Sequence, residues 1–355
     1  MFPQNTHIDS KPGDVMDVAK FLPAKADPLL YPGCKPTRND FLSGYLIDRK
    51  TKLIHILDIP DISQKSDLVS ELGKISLFHG EQSSELSDLV PNIGKLLPML
   101  GYGTLTNPNE LIERMGKVGE EGRYTIVLPG YLFGFDVVAS QISPRGRVPA
   151  DLVLSPGAYT DTGITLVSGP QFEVLYGLES HMYEPTEFGV HIRADYSDKK
   201  PNSISGFKLN TVGFSTVGFS GYVPAFNHPE DGEIGLAEIK VEGRQRRQRY
   251  QHQAMAEVAT ALNIQEQFPE FKGLEGTELA RGFSDLILDH NEGSQYEGKT
   301  RKPNELVKVL NDRLLNEGLV SLHATADLLN IQVPSPVQPR NFNHAQFYLE
   351  KQGGI

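Results

Sequence analysis

The residue types best suited to chemistry lie in two short segments near the middle of the chain. The first is Tyr102-Gly103-Thr104-Leu105, which follows the apolar run Leu96–Leu100. A glycine at position 103 would let the backbone turn with positive φ and expose amide N–H groups at a strand end, where an anion or carboxylate binds. The alternative is an ordinary strand-to-helix turn, because Thr106 and Asn107 both suit a helix N-cap.

The second segment, Leu175–Tyr183, carries Glu179 close to aromatic residues. A carboxyl group in apolar surroundings is suited to acid–base work near neutral pH, since desolvation disfavours its charged form. The alternative is that Glu179 only ends a surface helix. Three other glutamates are near enough in sequence to serve instead, namely Glu173, Glu184 and Glu187. Glu179 is favoured because it directly follows an apolar turn.

Further motifs accompany these two segments in order along the chain. Residues 148–157, VPADLVLSPG, lie between them, and Ile234–Ile239 with Gly243-Arg244 comes after. In this combination the central region, about residues 93–263, resembles the γ-glutamylcyclotransferase-like superfamily. Members of that family have a strand with a YGS or YGT loop, and later a strand and a helical turn that ends in a glutamate, as Phe172–Glu179 does here.

The resemblance implies the fold class and the site. The fold would be α+β, a mixed β-barrel of the γ-glutamylcyclotransferase-like type with flanking helices. Glu179 would move protons while the α-amine of a γ-glutamyl amine or related amide attacks its own γ-carbonyl, which releases 5-oxoproline and a free amine. The residues implied to bind this small-molecule substrate are Tyr102, Gly103, Thr104, Leu105 and Tyr183. Neither a metal nor an organic cofactor is implied.

Composition limits the classes of partner. The 34 basic and 45 acidic residues give a net charge of −11, which opposes binding to nucleic acid or to an anionic membrane. The basic cluster Arg244–Arg249 is therefore expected to be a solvated face. Cys34 is the one cysteine of the chain, which excludes an intramolecular disulfide and suits a reducing compartment. No apolar run reaches the length of a membrane span, so a cytoplasmic location is expected.

The elements that must position these residues are predicted from turn residues and apolar periodicity. The 34 glycines and 24 prolines indicate many short strands. Strands are predicted at 96–100, 124–127, 131–138, 150–154, 163–167, 190–194, 222–225 and 236–241. Helices are predicted at 107–115 and 247–262, and the tandem 211–220 is interpreted as a strand pair or a glycine-rich flap.

The chain is predicted to have three parts. Residues 1–90 form an extension with a β-hairpin made by Phe41–Ile47 and Leu53–Ile59, after a loosely packed lead-in up to residue 40. Residues 91–264 form the γ-glutamylcyclotransferase-like domain. Residues 265–355 form an appendage of three helices, at 278–290, 304–317 and 319–329, and a tail.

A second functional hypothesis belongs to a different class. The protein would be a catalytically inactive small-molecule-binding or protein-interaction protein on the same fold, with the flanking segments binding a protein partner or a second copy. The two hypotheses differ in one observable. The enzymatic one requires that Glu179 lie in the same cavity as the Gly103 loop.

Overall fold

The computed structural model describes residues 7–24, 26–62, 64–79, 82–116, 118–119, 122–179, 184–196, 207–215, 225–290 and 305–321. The strands are β1 (His7–Asp9), β2 (Val15–Asp17), β3 (Lys35–Arg38), β4 (Phe41–Leu42), β5 (Tyr45–Asp48), β6 (Leu53–Ile56), β7 (Ser76–His79), β8 (Gln82–Glu85), β9 (Leu97–Gly101), β10 (Tyr124–Ala139), β11 (Ala150–Val167), β12 (Glu184–Ile192), β13 (Lys208–Ser215), β14 (Ala225–His228), β15 (Gly232–Glu233), β16 (Gly235–Leu236), β17 (Val241–Glu242), β18 (Gln248–Arg249) and β19 (Val320–Ser321). The α-helices are α1 (Lys65–Gly73), α2 (Leu86–Leu89), α3 (Pro108–Arg114), α4 (Gly169–Glu179), α5 (Gln251–Ala261), α6 (Ile264–Gln267), α7 (Gly276–Asp289) and α8 (Glu305–Asn316).

Five of these strands close into a mixed barrel. In order around the barrel they are β9, β13, β12, β10 and β11, and β11 pairs with β9 to complete it. β9 and β13 run parallel, with Val212 opposite Met99, whereas the other pairs are antiparallel. Every barrel strand contributes to one hydrophobic cluster, which includes Leu100, Leu128 and Ile164. The predicted α+β class with a mixed β-barrel is confirmed.

The two longest barrel strands continue through positions where the sequence predicted breaks. β10 joins the predicted strands 124–127 and 131–138, and β11 joins 150–154 and 163–167, so both predicted interruptions are wrong. The pairing register shifts between Phe133 and Phe135, where Gly134 has φ of 78°, and Gly157 on β11 has φ of 86°. Because a bulge bends a strand without ending its pairing, these glycines curve the barrel wall and do not terminate strands.

The N-terminal part is joined to the barrel sheet. The predicted hairpin is confirmed as β5 and β6, with Tyr45 opposite Ile56, and β5 also pairs with β10. The prediction of a loosely packed lead-in is wrong from residue 7 onward. β2 pairs with β6, and Phe21 and Ala24 are fully buried. The partners that order this segment come from later in the chain, which the local composition could not indicate.

The helices after the barrel confirm part of the predicted appendage. α7 and α8 correspond to two predicted helices, and α7 buries Leu279, Phe283 and Ile287. The third predicted helix is wrong at its start, because Val320–Ser321 is a strand that pairs with β14. Gly318, with φ of 69°, lets the chain leave α8 at this point. Residues 322–355 lie outside the described residues, and the division of the chain at 90 and 264 stays a prediction.

The basic cluster Arg244–Arg249 is solvated only in part. The prediction of a solvated face holds for Arg247, which is exposed, and is wrong for Arg244, Arg246 and Arg249. The Arg244 side chain is 2% exposed, and its Nε donates to Oδ1 of the fully buried Asp136 at 2.7 Å. Nε of Arg246 donates to Glu233 at 2.7 Å, and Arg249 pairs with Glu257. A buried cation needs a nearby anion. Here Asp136, on β10, supplies one from more than a hundred positions earlier in the chain.

Candidate active site

A small cleft at the end of β9 brings the two predicted chemical segments together. Its free volume is about 40 Å³. The lining residues are Tyr31, Leu100, Tyr102, Gly103, Thr104, Leu105, Ala150 and Glu179. The structure thus places Glu179 in the same cleft as the loop that contains Gly103. Tyr31 and Ala150 are lining residues that the sequence did not indicate.

The loop is fixed between β9 and α3 by local hydrogen bonds. A short 3-10 turn, Thr104–Thr106, follows Gly103, and the Thr106 hydroxyl donates to the Gly103 carbonyl oxygen at 2.8 Å. Asn107 caps α3 by accepting from the Glu110 N–H at 2.9 Å, and Pro108 occupies the first turn, as predicted.

The backbone N–H groups of the loop are available to a ligand. Those of Gly103, Thr104 and Leu105 have no acceptor within the described part of the chain. Thr104 and Leu105 are nevertheless buried, at 7% and 8% exposure. Backbone donors that are shielded from water and unpaired are suited to hold an anionic oxygen.

Gly103 is required for a different reason from the one predicted. Its φ is −120°, so the expected positive φ is wrong. A Cβ at this position would lie 2.6 Å from the hydroxyl oxygen of Tyr31, which is far inside van der Waals contact. The close approach of a tyrosine from the N-terminal part, and not the backbone angle, demands the glycine.

Gly103→Ala is expected to lower the free energy of unfolding by about 1 to 3 kcal/mol, because either the loop or the buried Tyr31 must move. Gly177→Ala is the matched control and should not lower stability. A Cβ there meets no atom within 4 Å, and alanine is preferred to glycine at an exposed helical position. Denaturant unfolding of both variants checks this, and combining Gly103→Ala with Tyr31→Phe should restore part of the loss. A Gly103→Ala protein as stable as the native one would contradict the contact.

Glu179 reaches the cleft because of where α4 begins and which face it buries. Ser168 and Gln171 cap the helix reciprocally: the Ser168 N–H donates to Oε1 of Gln171 at 2.7 Å, and the Gln171 N–H donates to the Ser168 hydroxyl at 3.5 Å. Phe172, Leu175 and Tyr176 form the buried face. Glu179 follows Tyr176 by three residues and therefore lies on the same side.

The alternative glutamates do not share this placement. Glu173 points away from the buried face of α4 and is exposed, and Glu187 on β12 is also exposed. The side chain of Glu184 lies outside the described residues, as do Tyr183 and the second half of the tandem 211–220. Residues 208–215, which include the first half, form β13.

Arg114 connects the loop to Glu179, and the sequence analysis missed it. Its Nη1 donates to Oε1 of Glu179, and its Nη2 donates to the Thr104 hydroxyl at 2.8 Å. Its Nε also lies 3.5 Å from a carboxylate oxygen of Glu110, one turn earlier on α3. The spacing of Glu110 and Arg114 was a signal for the helical pair, but nothing local pointed to Glu179.

Tyr31 is the second group that the sequence analysis missed. Its hydroxyl accepts from the Ala150 N–H at 3.0 Å, and the Arg147 guanidinium lies 4.7 Å from its ring centre. Burial raises the pKa of Tyr31, while the charge of Arg147 opposes that change. Burial also lowers the pKa of Arg147 to about 10.

Among the described residues, no group of three or more His, Cys, Asp or Glu side chains is placed to hold a metal ion. None of the helices in the described ranges has both the length and the apolar character needed to span a bilayer.

Comparisons with known proteins give similar structures only. No protein-family model matches the chain, and no curated protein matches it significantly. One similar structure is a γ-glutamyl cyclotransferase, 11% identical, with a TM-score of 0.25, over 61% of this chain and 99% of that one. Another is a yeast γ-glutamyl cyclotransferase specific to glutathione, 13% identical, with a TM-score of 0.27, over 57% of this chain and 99% of that one.

A protein of Arabidopsis thaliana solved in solution is also similar, with 16% identity and a TM-score of 0.25, over 34% of this chain and 68% of that one. With TM-scores of 0.25 to 0.27, none of these three similarities carries a conclusion about the activity of this chain.

Proposed function

We propose that this protein is a cyclotransferase-like enzyme that releases 5-oxoproline and a free amine from a γ-glutamyl amine or related amide. One observation carries the proposal: the Glu179 carboxylate and the loop Tyr102–Leu105 line the same cleft. A proton-transferring group then lies beside unpaired backbone donors. Intramolecular attack requires little beyond this, because nucleophile and electrophile belong to one molecule and need only be held in a ring-forming conformation.

The proposed reaction uses the carboxylate and the loop donors together. Glu179 takes a proton from the substrate's α-ammonium group, and the resulting amine attacks the γ-carbonyl carbon. The N–H groups of Gly103, Thr104 and Leu105 hold the oxygen that becomes negatively charged. The bond from the γ-carbon to the departing nitrogen then breaks, and Glu179 returns its proton to that nitrogen. The ring nitrogen still carries two hydrogens after the attack, and it passes one of them to the departing amine by way of Glu179. The products are 5-oxoproline and the free amine.

Arg114 is a positioning residue in this proposal. It contacts Oε1 of Glu179, which leaves Oε2 for the proton, and its bond to Thr104 fixes the same guanidinium to the loop. Because the planar guanidinium binds Glu179 and Thr104 at once, it sets the distance between the base and the oxyanion donors.

The experiment is to measure 5-oxoproline released by the native protein from γ-glutamyl dipeptides and γ-glutamyl alkylamines. The matched controls are the same compounds with the α-amine acetylated, which cannot cyclise by this route. We expect release only from compounds with a free α-amine. If no γ-glutamyl compound is turned over, the proposed reaction is wrong.

A second candidate is favoured by the Arg114–Glu179 pair and by the small cleft. The ion pair engages Oε1 of Glu179, and the free volume of the cleft is about 40 Å³. On this alternative the ion pair keeps the cleft closed, and the protein binds a small molecule or a protein partner without turnover. Binding of 5-oxoproline or a γ-glutamyl compound without release of product would support it.

A further inference from the structure

We infer that the Tyr31 hydroxyl, supplied by the N-terminal part of the chain, contacts the substrate and donates a hydrogen bond to the γ-carbonyl oxygen as the amine attacks. This inference rests on the proposed function and adds a residue from outside the region that resembles the cyclotransferase family. Tyr31 keeps its proton throughout. Glu179 alone carries a proton from the α-nitrogen to the departing nitrogen.

The position of the hydroxyl is the first support. Tyr31 lines the cleft together with Glu179 and the loop, and its hydroxyl oxygen lies 2.6 Å from where a Cβ on Gly103 would be. An oxygen held by the Gly103, Thr104 and Leu105 N–H groups would therefore be next to this hydroxyl. The charges of Glu179 and Arg114 both act on the Tyr31 hydroxyl, which agrees with a shared site.

The hydrogen-bonding capacity of the hydroxyl is the second support. A phenol has one donor and two acceptor positions. The Ala150 N–H occupies one acceptor position at 3.0 Å, and the hydroxyl hydrogen has no acceptor among the described residues. Because burial raises the pKa of Tyr31, the group stays protonated and remains a donor at neutral pH.

The fixed orientation of the ring is the third support. A 3-10 turn, Pro28–Leu30, precedes Tyr31, and the carboxylate of Asp27 caps that turn by accepting from the Leu29 N–H at 3.0 Å. The same carboxylate binds both terminal nitrogens of Arg281 on α7, each at 2.8 Å. The N-terminal part and the C-terminal helices therefore hold this hydroxyl jointly, and it can act as a preorganised donor.

The test compares Tyr31→Phe with Tyr196→Phe. Tyr196 is the matched control, because its buried hydroxyl also accepts from a backbone N–H, that of Gly44 at 3.3 Å, but it does not line the cleft. We expect Tyr31→Phe to lower kcat by about 100-fold, as loss of one oxyanion donor does, with a much smaller change in KM. Its affinity for 5-oxoproline, whose ring carbonyl is the former γ-carbonyl, should fall by about 3- to 10-fold. Tyr196→Phe should leave both unchanged.

The outcomes separate this inference from the proposed function. Native turnover with an unaffected kcat in Tyr31→Phe would overturn the role of Tyr31 and leave the reaction standing. Binding of 5-oxoproline that is weakened by Tyr31→Phe, without any native turnover, would overturn the reaction and support the contact. If neither turnover nor binding is found, both are overturned.

A measurement on the native protein covers the case in which Tyr31→Phe fails to fold. In a crystal structure of the complex with 5-oxoproline, we expect the Tyr31 hydroxyl oxygen within about 3 Å of the ring carbonyl oxygen. A ligand bound in the cleft with its carbonyl oxygen turned away from Tyr31 would overturn the inference.

Discussion

Glu179→Gln is expected to reduce 5-oxoproline release by at least about 100-fold, within the range found when a general acid–base group is lost. Glutamine keeps the volume of the side chain and can still accept the hydrogen bond from Arg114, but it cannot take a proton from the substrate's ammonium group. The fold should therefore persist while the proton transfer is lost. Rates of 5-oxoproline release at saturating substrate, compared at matched folded fractions, check this prediction.

Glu173→Gln provides the control for this experiment. Glu173 lies on the same helix, α4, but its side chain is exposed and does not line the cleft. Its substitution should leave the rate at the native level, which also tests the alternative assignment of the base. Equal rates for Glu179→Gln and the native protein would rule out Glu179 as the proton carrier, and a large loss in Glu173→Gln would transfer that role to Glu173.

Arg114→Met is expected to have the second largest effect, on stability and on activity together. It leaves the carboxylates of Glu110 and Glu179, which are 4% and 16% exposed, without this cation. Removing one partner from a largely buried pair destabilises the fold by about 2 to 4 kcal/mol. The base and the loop also lose their common anchor, so kcat should fall by about 10- to 100-fold through misplacement alone. Denaturant unfolding and steady-state kinetics measure the two effects separately.

Two further arginine variants distinguish positioning from general destabilisation. Arg123→Met removes a more exposed ion pair that lies outside the cleft lining. Arg123 is 31% exposed and donates to both carboxylate oxygens of Asp48, at 3.1 and 2.9 Å. Its substitution should lower stability but leave kcat unchanged. Arg114→Lys keeps the charge, but its single ammonium group cannot bind Thr104 and Glu179 as the two terminal nitrogens of a guanidinium do. Compared with Arg114→Met, it should therefore restore more of the stability than of kcat. If kcat follows stability alone across all three variants, Arg114 has no positioning role.

Arg114→Met also distinguishes the two functional candidates. If the Arg114–Glu179 pair only closes a binding cleft, Arg114→Met should open it and increase the affinity for γ-glutamyl compounds without producing turnover. If the pair positions the base, the variant should lose turnover that the native protein has. A loss of 5-oxoproline release in Arg114→Met therefore supports the enzyme, and a gain in affinity without any release supports the binding protein.

The sequence by itself determined the elements that carry the candidate site. Apolar spacing and capping residues act over a few positions, and so they could be recognised without tertiary information. The strand before Tyr102, the helix capped by Asn107 and the hairpin of β5 and β6 were predicted on this basis and are confirmed. The helix that ends at Glu179 was expected from the family resemblance and not from local spacing, and residues 172, 175, 176 and 179 share its inner face.

Only the tertiary structure decided which groups meet in the cleft. Arg114 and Glu179 are 65 positions apart, and Tyr31 and Ala150 are 119 positions apart, so no local pattern could pair them. The same holds for Arg244, which the sequence placed in solvent but which is buried against Asp136. The sequence predicted breaks at residues 128–130 and 155–162, where proline and glycine occur, but pairing with neighbouring strands carries β10 and β11 through both. Short-range stereochemistry fixes the elements, whereas the closure of the barrel and the docking of the N-terminal part fix the contacts between them.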